Sequence, residues 1–122
     1  MAYWARKVNL DGHTFDSQSE AARYVDLLAM QAAGEISELV VHPGWTLAPG
    51  VRIRGEKRMR PGMRFTADFS YRDRDGTPRV EDVKPENGHM TPAFRMRQHL
   101  VKWLHNIDVE VVKVGRPKGR KR

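Results

Sequence analysis

The residues best able to do chemistry in this sequence are two aspartates and a lysine on two neighbouring segments. Asp68 lies in residues 64–71, where apolar and polar residues alternate as in a β-strand with one buried face. Asp82 and Lys84 lie in residues 79–84, and their spacing puts both side chains on one face of a strand. Two carboxylates offer the oxygen ligands that Mg²⁺ and Mn²⁺ prefer, and an ammonium group beside them can orient water or stabilise charge on a phosphate.

A three-residue turn, residues 74–76, is predicted to join the two segments into a hairpin, because its last residue is a glycine that adopts the left-handed conformation readily. The register set by this turn places Asp68 opposite Asp82, with Cβ atoms about 4.5–5.5 Å apart. The same register places Thr66 opposite Lys84. Because facing like charges are destabilising, we expect a basic side chain or a bound metal between the carboxylates. A solvent-facing polar hairpin with scattered charges is the alternative.

The overall charge favours a polyanionic partner. The 122 residues include 22 Lys+Arg against 15 Asp+Glu, a net charge of +7, and nucleic acid is the first candidate. An anionic membrane surface is disfavoured, because neither predicted helix is of the lysine-rich amphipathic type. The absence of cysteine excludes disulfides and cysteine-ligated zinc, and no long apolar run or signal-like start occurs. We therefore expect a soluble, cytoplasmic protein with a single domain over residues 1–114 and a basic, disordered tail over residues 115–122.

The pattern of residues predicts an α/β (α+β) fold. The predicted elements are a helix at 17–33, a strand at 36–41 that 45–47 could continue, the hairpin strands, a helix opening at Thr91-Pro92 and a strand at 108–114. This order, helix-strand-strand-strand-helix-strand, implies a mixed sheet flanked by helices, with the hairpin strands near its centre. In the second helix an apolar stripe is expected to face the core. The stripe comprises Ala93, Met96, Leu100, Trp103 and Ile107.

Two basic segments could contact nucleic acid. Residues 48–62 carry five basic side chains against the single acid Glu56, and they fit a solvated loop or an arm along a phosphate backbone equally well. The polar side of the second helix is a solvated face by default, unless it flanks the site. The predicted nucleic-acid-binding residues are Arg52, Arg54, Lys57, Arg58, Arg60, Arg95, Arg97, Gln98 and Lys102.

Several motifs in order resemble a known nuclease superfamily. Asp68, then Asp82-Val83-Lys84 after a hairpin and a preceding helix with Glu20, resemble the PD-(D/E)XK nucleases. More narrowly, the chain resembles small phage and prophage nucleases, once catalogued as a domain of unknown function and labelled Holliday-junction-resolvase-like, over residues 13–112. The motifs that carry this are Phe15-Asp16-Ser17-Gln18-Ser19-Glu20-Ala21, Ala33-Gly34-Glu35-Ile36, Ala67-Asp68-Phe69-Ser70-Tyr71, Val80-Glu81-Asp82-Val83-Lys84 and Thr91-Pro92-Ala93-Phe94.

The resemblance implies a restriction-endonuclease-like core and assigns roles to its residues. Asp68 and Asp82 are the expected metal ligands, helped by the Val83 carbonyl, and Lys84 is the expected catalytic lysine. Glu20 would complete the catalytic and metal-binding set, although Ser17-Gln18-Ser19-Glu20 is also a capping box in which Glu20 would bond to the helix start. Glu81, on the opposite strand face from Asp82, is the weaker candidate.

The resemblance also implies an activity. We expect a Mg²⁺-dependent endonuclease, with Mn²⁺ as a possible substitute, that cuts branched DNA such as Holliday junctions in phage recombination, replication or packaging. Such an enzyme would work in the bacterial host cytoplasm as a homodimer. A catalytically silent DNA-binding protein of the same fold, or a nicking, flap or single-strand nuclease, is the alternative. Two departures from the family pattern, Pro85 in place of glycine and Arg97 in place of lysine, leave the substrate open.

Two further expectations concern histidines and the dimer. An HNH-type nuclease is disfavoured because His13, His42, His89, His99 and His105 show no metal-ligand spacing, so they are interpreted as surface or packing residues. Trp4, Trp45 and the apolar side of the second helix could each form a dimer interface, although core packing explains them equally well.

Overall fold

The computed structural model describes residues 6–115, which form eight strands and two helices. In chain order these are β1 (Val8–Leu10), β2 (His13–Phe15), α1 (Gln18–Ala32), β3 (Ser37–Val41), β4 (Gly44–Ala48), β5 (Met63–Thr66), β6 (Phe69–Arg72), β7 (Pro78–Pro85), α2 (Pro92–His105) and β8 (Val109–Val114). The predicted tail lies outside the described residues apart from Gly115, and so does Trp4. No helix in the described part is long and apolar enough to cross a membrane.

A four-stranded mixed sheet positions the acidic hairpin. Its order is β3-β6-β7-β8, with β6 antiparallel to both β3 and β7, and β7 parallel to β8. A parallel neighbour requires a crossover, which α2 supplies between β7 and β8. The predicted mixed sheet, with the hairpin strands at its centre, is confirmed.

The turn of this hairpin also agrees with the prediction. Arg72 pairs with Pro78, and Gly76 adopts a φ of 82°, as the third residue of such a loop requires. The Asp73 carboxylate accepts hydrogen bonds from the backbone N–H groups of Asp75 and Thr77, both at 3.0 Å. The turn therefore fixes the predicted register along β6.

Residues 64–71 do not form one strand, which corrects the prediction. The β6–β7 ladder ends at the pair Phe69 and Glu81, and β5 instead pairs with β4 in a separate two-stranded sheet. Thr66 accordingly lies opposite Gly44 and not opposite Lys84. The β4–β5 pair also shows that Trp45 belongs to a new strand that does not continue β3. A further hairpin, β1–β2, surrounds the predicted turn at Asp11-Gly12.

Two apolar clusters cover the two faces of the central sheet. Odd-numbered residues of β7 face α1, where Val83 packs in one cluster, and Val80 faces the β4–β5 pair and α2 in the other. The first cluster comprises Phe15, Ala21, Tyr24, Leu27, Ile36, Phe69 and Val83. The second comprises Leu47, Phe65, Ala67, Val80, Val101 and Val109. The α1 boundaries agree with the sequence, with Ser17 as the N-cap.

The apolar stripe predicted for α2 is buried only in part, since Leu100 and Ile107 pack against the second cluster but other members are exposed. Met96 is 66% exposed and Trp103 is 74% exposed, whereas Val101 is fully buried.

Phe94, Leu100 and Val101 pack on the second cluster. On the same side of the helix the Arg97 guanidinium donates to the Arg64 carbonyl (2.9 Å) and the Gln98 amide donates to the Val109 carbonyl (2.9 Å). The rotation of α2 is therefore consistent with both its apolar packing and these hydrogen bonds.

Candidate active site

Asp68 lies where the chain leaves one sheet and enters another. Its backbone N–H donates to the Glu81 carbonyl (3.0 Å), and its carbonyl accepts from the His42 N–H (2.9 Å). Its carboxylate Oδ2 accepts a 2.6 Å hydrogen bond from the Val83 N–H on β7. The divergence of β5 and β6 therefore leaves room beside β7 for a carboxylate in place of a further ladder pair.

Glu20 reaches Asp68 from the first turn of α1. Its backbone N–H donates to the Ser17 Oγ at 3.2 Å, which is half of a capping box. The returning bond from the Ser17 N–H to the Glu20 carboxylate does not occur within residues 6–115. Glu20 is 8% exposed, and its Oε1 finds no hydrogen-bond donor in that range. The side chain thus lies near the acidic cluster and also near the backbone of Asp16 at the helix start, which opposes the rise that burial causes in the pKa of Glu20.

Burial and like charges make Asp68 hard to ionise. Burial, then the negative charges of Glu20 and Asp82, raise its pKa to about 8, and the Val83 N–H opposes that rise. Burial also raises the pKa of Glu20, with contributions from the charges of Asp16 and Asp82, against a hydrogen bond shared with Asp68. The cluster carries more negative charge than the surrounding groups neutralise.

Asp82 and Lys84 occupy one face of β7, as predicted. Lys84 Nζ lies 3.0 Å from Asp82 Oδ2, but the angles are not those of a hydrogen bond, and this buried oxygen has no donor in the described part of the chain. The same ammonium lies 4.6 Å from the centroid of the Phe94 ring on α2, within the range of a cation–π interaction. Asp82 is near enough to Asp68 and Glu20 for its charge to act on both pKa values.

His42 lies beside this cluster at the protein surface. Its Nε2 lies 3.6 Å from Glu20 Oε1, and one ligand atom each from Glu20, His42 and Asp68 lie within 4.8 Å of one another. It is exposed and its ring centroid lies 5.8 Å from that of Phe15, which agrees with the prediction of a surface or packing residue, but the spacing of histidines along the chain does not predict its nearness to Glu20 and Asp68. The only local signal is its position before Pro43-Gly44, where the chain turns from β3 into β4.

The cluster has the donor set of a site for a hard divalent cation. Glu20 and Asp68 provide carboxylate oxygens within 4.8 Å of each other and of a His42 nitrogen, and Glu20 Oε1 is buried without a donor in the described residues. Asp82 lies outside that 4.8 Å group, and its Oδ2 is paired with the Lys84 ammonium. Because the N–H and C=O of one residue project from the same edge of an extended strand, the Val83 carbonyl projects toward the Asp68 side of β7. Carboxylate and carbonyl oxygens are ligand types that a divalent cation can take, and they do not by themselves distinguish one such metal from another.

The opposite face of the hairpin holds a separate, fully paired ionic cluster. Glu81 is 1% exposed, and its carboxylate accepts from Arg23 Nε (2.8 Å), Arg23 Nη2 (2.7 Å) and the Tyr71 hydroxyl. The hydrogen bonds that Arg23 donates to Glu81 raise the pKa of Arg23, and burial, followed by the interaction with Glu81, raises the pKa of Tyr71 to about 12. Both carboxylate oxygens of Glu81 are thus hydrogen-bonded, and Glu81, predicted as the weaker candidate, lies on the opposite face from Asp82.

Residues 49–62, between β4 and β5, form an arm. Some of its basic side chains are hydrogen-bonded within the arm and others are not. Arg52 donates to the backbone carbonyls of Glu56 (3.4 Å) and Lys57 (3.1 Å), and Arg60 forms a two-pronged contact with the Glu56 carboxylate (3.0 and 2.6 Å). The side chains of Arg54, Lys57 and Arg58 form no hydrogen bond or ion pair with the described residues and are exposed. These three residues are therefore the ones the arm offers to a partner.

Most of the nucleic-acid-binding residues predicted on α2 already form hydrogen bonds or ion pairs within the protein. Gln98 and Arg97 hold the helix in place as described above, and Lys102 Nζ lies 3.0 Å from Asp108 Oδ1. Lys102 also lies at the far end of the sheet, because Asp108 leads directly into Val109, which pairs with Val80 and not with Lys84. Arg95 is exposed and has no such partner among residues 6–115.

Comparison with known proteins places the chain in one family. The family described as "Protein of unknown function (DUF1064)" matches residues 1–116, almost the whole chain, so the protein belongs to it. Neither a curated protein nor a solved structure matches the chain.

Proposed function

We propose that this member of the DUF1064 family is a metal-dependent endonuclease that hydrolyses phosphodiester bonds in DNA. The observation that carries the proposal is a set of three neighbouring carboxylates, with Glu20 and Asp82 buried and Asp68 half-buried, and a lysine ammonium 3.0 Å from Asp82. A cluster of this kind is destabilising in a protein without a cation, and such groups are concentrated at functional sites. The ordered motifs that resemble the PD-(D/E)XK nucleases support the same reading.

Each side chain has a role that follows from its position. Glu20, Asp68 and Asp82, with the Val83 carbonyl, would hold Mg²⁺, which would supply a Lewis acid able to polarise a phosphodiester and to lower the pKa of a bound water. The Val83 N–H fixes the direction of the Asp68 carboxylate through their 2.6 Å hydrogen bond. Lys84 is held between Asp82 and the ring of Phe94, from which it can orient a water or stabilise negative charge on the phosphate.

The charge distribution supports DNA as the substrate. The net charge is +7, and the unpaired basic side chains of the arm, together with Arg95, suit contacts to phosphates, which carry little sequence information. We therefore propose selection of DNA by shape, with branched DNA as the favoured class. Symmetric cutting of a four-way junction would need a two-fold dimer, and light scattering of the protein bound to a junction measures this directly.

The decisive experiment compares Asp82→Asn with Asp75→Asn, which alters an exposed acid in the β6–β7 turn. Labelled four-way junction, flap, duplex and single strand are incubated with each protein in Mg²⁺ and in EDTA. We expect the wild type and Asp75→Asn to cut at least one substrate only with Mg²⁺. Asp82→Asn should cut at least about 100-fold more slowly, while binding DNA in EDTA within about twofold of wild type.

Two results would overturn the proposal. Equal cutting by Asp82→Asn and wild type in a clean preparation would remove the site from the chemistry. Binding without cutting of any substrate would identify a DNA-binding protein of the same fold, which is the second function considered.

A further inference from the structure

The arm exposes apolar side chains next to its free cations. Ile53 is 40% exposed and Met59 is 61% exposed, and both lie within two residues of an unpaired basic residue. Val51 and Met63, at the base of the arm, are also more than two-fifths exposed. Large apolar side chains concentrated in one exposed element mark an interaction surface.

The arm is built to hold this shape. Val51 and Arg60 exchange two backbone hydrogen bonds (3.0 and 2.7 Å), and the Glu56 N–H donates to the Ile53 carbonyl (3.0 Å) across the tip. At the base the two legs approach so closely that a Cβ on Gly50 would lie 2.8 Å from the Arg60 carbonyl oxygen. A Cβ on Gly62 would likewise lie 2.8 Å from the Ala48 carbonyl oxygen. Arg52 and Arg60 hold the tip through their hydrogen bonds with Glu56 and Lys57.

The charge of the arm indicates which kind of partner would bind it. Its single acid, Glu56, is already paired with Arg60, so the outward-facing charge of the tip is positive and comes from Arg54, Lys57 and Arg58. A second copy of this surface would repel it, and a polyanion would be attracted. An apolar residue flanked by cations is the combination with which proteins wedge between DNA bases while holding the phosphates on either side.

The position of the arm fits one DNA molecule spanning both arm and acidic cluster. Asp68 is nine positions after Met59, so at about 3.3 Å per residue the two lie at most about 30 Å apart. Along one DNA strand this is at most about nine nucleotides at about 3.4 Å each.

We propose that the arm inserts Ile53 and Met59 between DNA bases that are already unstacked or unpaired, while Arg54, Lys57 and Arg58 hold the flanking phosphates. The arm is then the element that recognises distorted or branched DNA. This inference rests on the proposed function only in taking DNA as the ligand, and it does not require cleavage. Stacked duplex resists such insertion, because separating a base step costs a few kcal/mol that an open step has already lost.

The test measures unstacking by 2-aminopurine fluorescence in EDTA, where cleavage plays no part. The probe base is placed at the branch of a four-way junction and, separately, within a continuous duplex. The double variant Ile53→Ala/Met59→Ala is compared with wild type, with Arg58→Ala, and with Met96→Ala, which removes an equally exposed methionine on α2. Because all these side chains are exposed, we expect the variants to fold like wild type. Equal melting temperatures will verify this.

We expect wild type and Met96→Ala to raise the fluorescence of the junction, and the double variant to lose most of that rise and at least about fivefold in affinity for the junction. Arg58→Ala should weaken binding to junction and duplex equally and keep the rise at saturation. A double variant that binds and unstacks like wild type overturns the inference, as does a wild type that binds the junction without any rise. No binding of DNA at all would remove both proposals, whereas unstacking without Mg²⁺-dependent cutting would leave the arm's role standing alone.

Discussion

The Asp68 carboxylate accepts a 2.6 Å hydrogen bond from the backbone N–H of Val83, which joins the break between β5 and β6 to the strand that carries Asp82 and Lys84. This bond favours the charged form of Asp68, whereas burial and the charges of Glu20 and Asp82 oppose it and prevail. The fold thus holds the Asp68 carboxyl where its ionised form is disfavoured. A bound cation would stabilise that ionised form.

The first prediction concerns the stability of the metal-free protein. The pKa of Asp68 rises from 3.8 unfolded to about 8 folded, so its contribution to stability is present below about pH 4 and is lost as the pH rises toward 8. Asp68→Asn removes this loss and can still accept the Val83 N–H. We expect the variant to melt about 3 °C or more above wild type at pH 8.5 in EDTA, and this difference to shrink as the pH falls toward 5.

Added Mg²⁺ should reverse that order, because it stabilises the wild type by binding the folded state. Asp26→Asn, an exposed acid on α1, serves as the control and should melt like wild type in both conditions. A pH-independent difference between Asp68→Asn and wild type would contradict the electrostatic cause.

The register of the hairpin followed from the sequence, but the partner of β5 did not. The turn ending in Gly76 fixes pairing locally, so Phe69 opposite Glu81 could be predicted from residues a few positions apart. Phe65, Ala67 and Phe69 are all buried and alternate without interruption through the break. The pattern therefore gave no sign that the strand changes sheets, since the β4–β5 pairing depends on a long-range contact.

The second prediction separates the role of Lys84 from that of the carboxylates. Lys84→Met removes the positive charge beside Asp82, so cutting should slow by at least about 100-fold. Because the ammonium no longer competes for Asp82, half-maximal stabilisation by Mg²⁺ in a melting titration should need no more Mg²⁺ than in wild type. Lys7→Met, at an exposed position, is the control. If Lys84→Met lost stabilisation by Mg²⁺ together with cutting, the role of Lys84 would instead be to maintain the metal site.

The third prediction concerns the ionic cluster on the other face. Arg23→Met leaves the Glu81 carboxylate buried with only the Tyr71 hydroxyl, so the free energy of unfolding should fall by about 3 kcal/mol. Adding Glu81→Gln should recover part of this, because it removes the uncompensated charge and still accepts from Tyr71. Urea unfolding measures both. Asp108→Ala, which breaks the exposed pair with Lys102, should cost about 1 kcal/mol or less, and an equal cost for Arg23→Met would contradict the argument.

The rotation of α2 and the position of His42 lay beyond the sequence for a shared reason. Each involves hydrogen bonds between residues distant in the chain, such as Gln98 with the Val109 carbonyl and the His42 N–H with the Asp68 carbonyl. An apolar stripe or a histidine spacing contains no information about such partners. The carboxylates and Lys84 could be predicted from the sequence, because the spacing of Asp82 and Lys84 within one strand puts both side chains on one face.

The last prediction asks whether His42 can join the carboxylates as a ligand. Its Nε2 is 3.6 Å from Glu20 Oε1, so a metal that accepts nitrogen ligands, such as Ni²⁺, should use the imidazole, whereas Mg²⁺ should depend on the carboxylates. His42 has a φ of 58°, which asparagine tolerates, so His42→Asn preserves the backbone. We expect this variant to lose most of the rise in melting temperature caused by Ni²⁺ and little of that caused by Mg²⁺. The exposed His99→Asn should keep both, and an equal loss for the two metals in His42→Asn would show that the imidazole only supports Glu20.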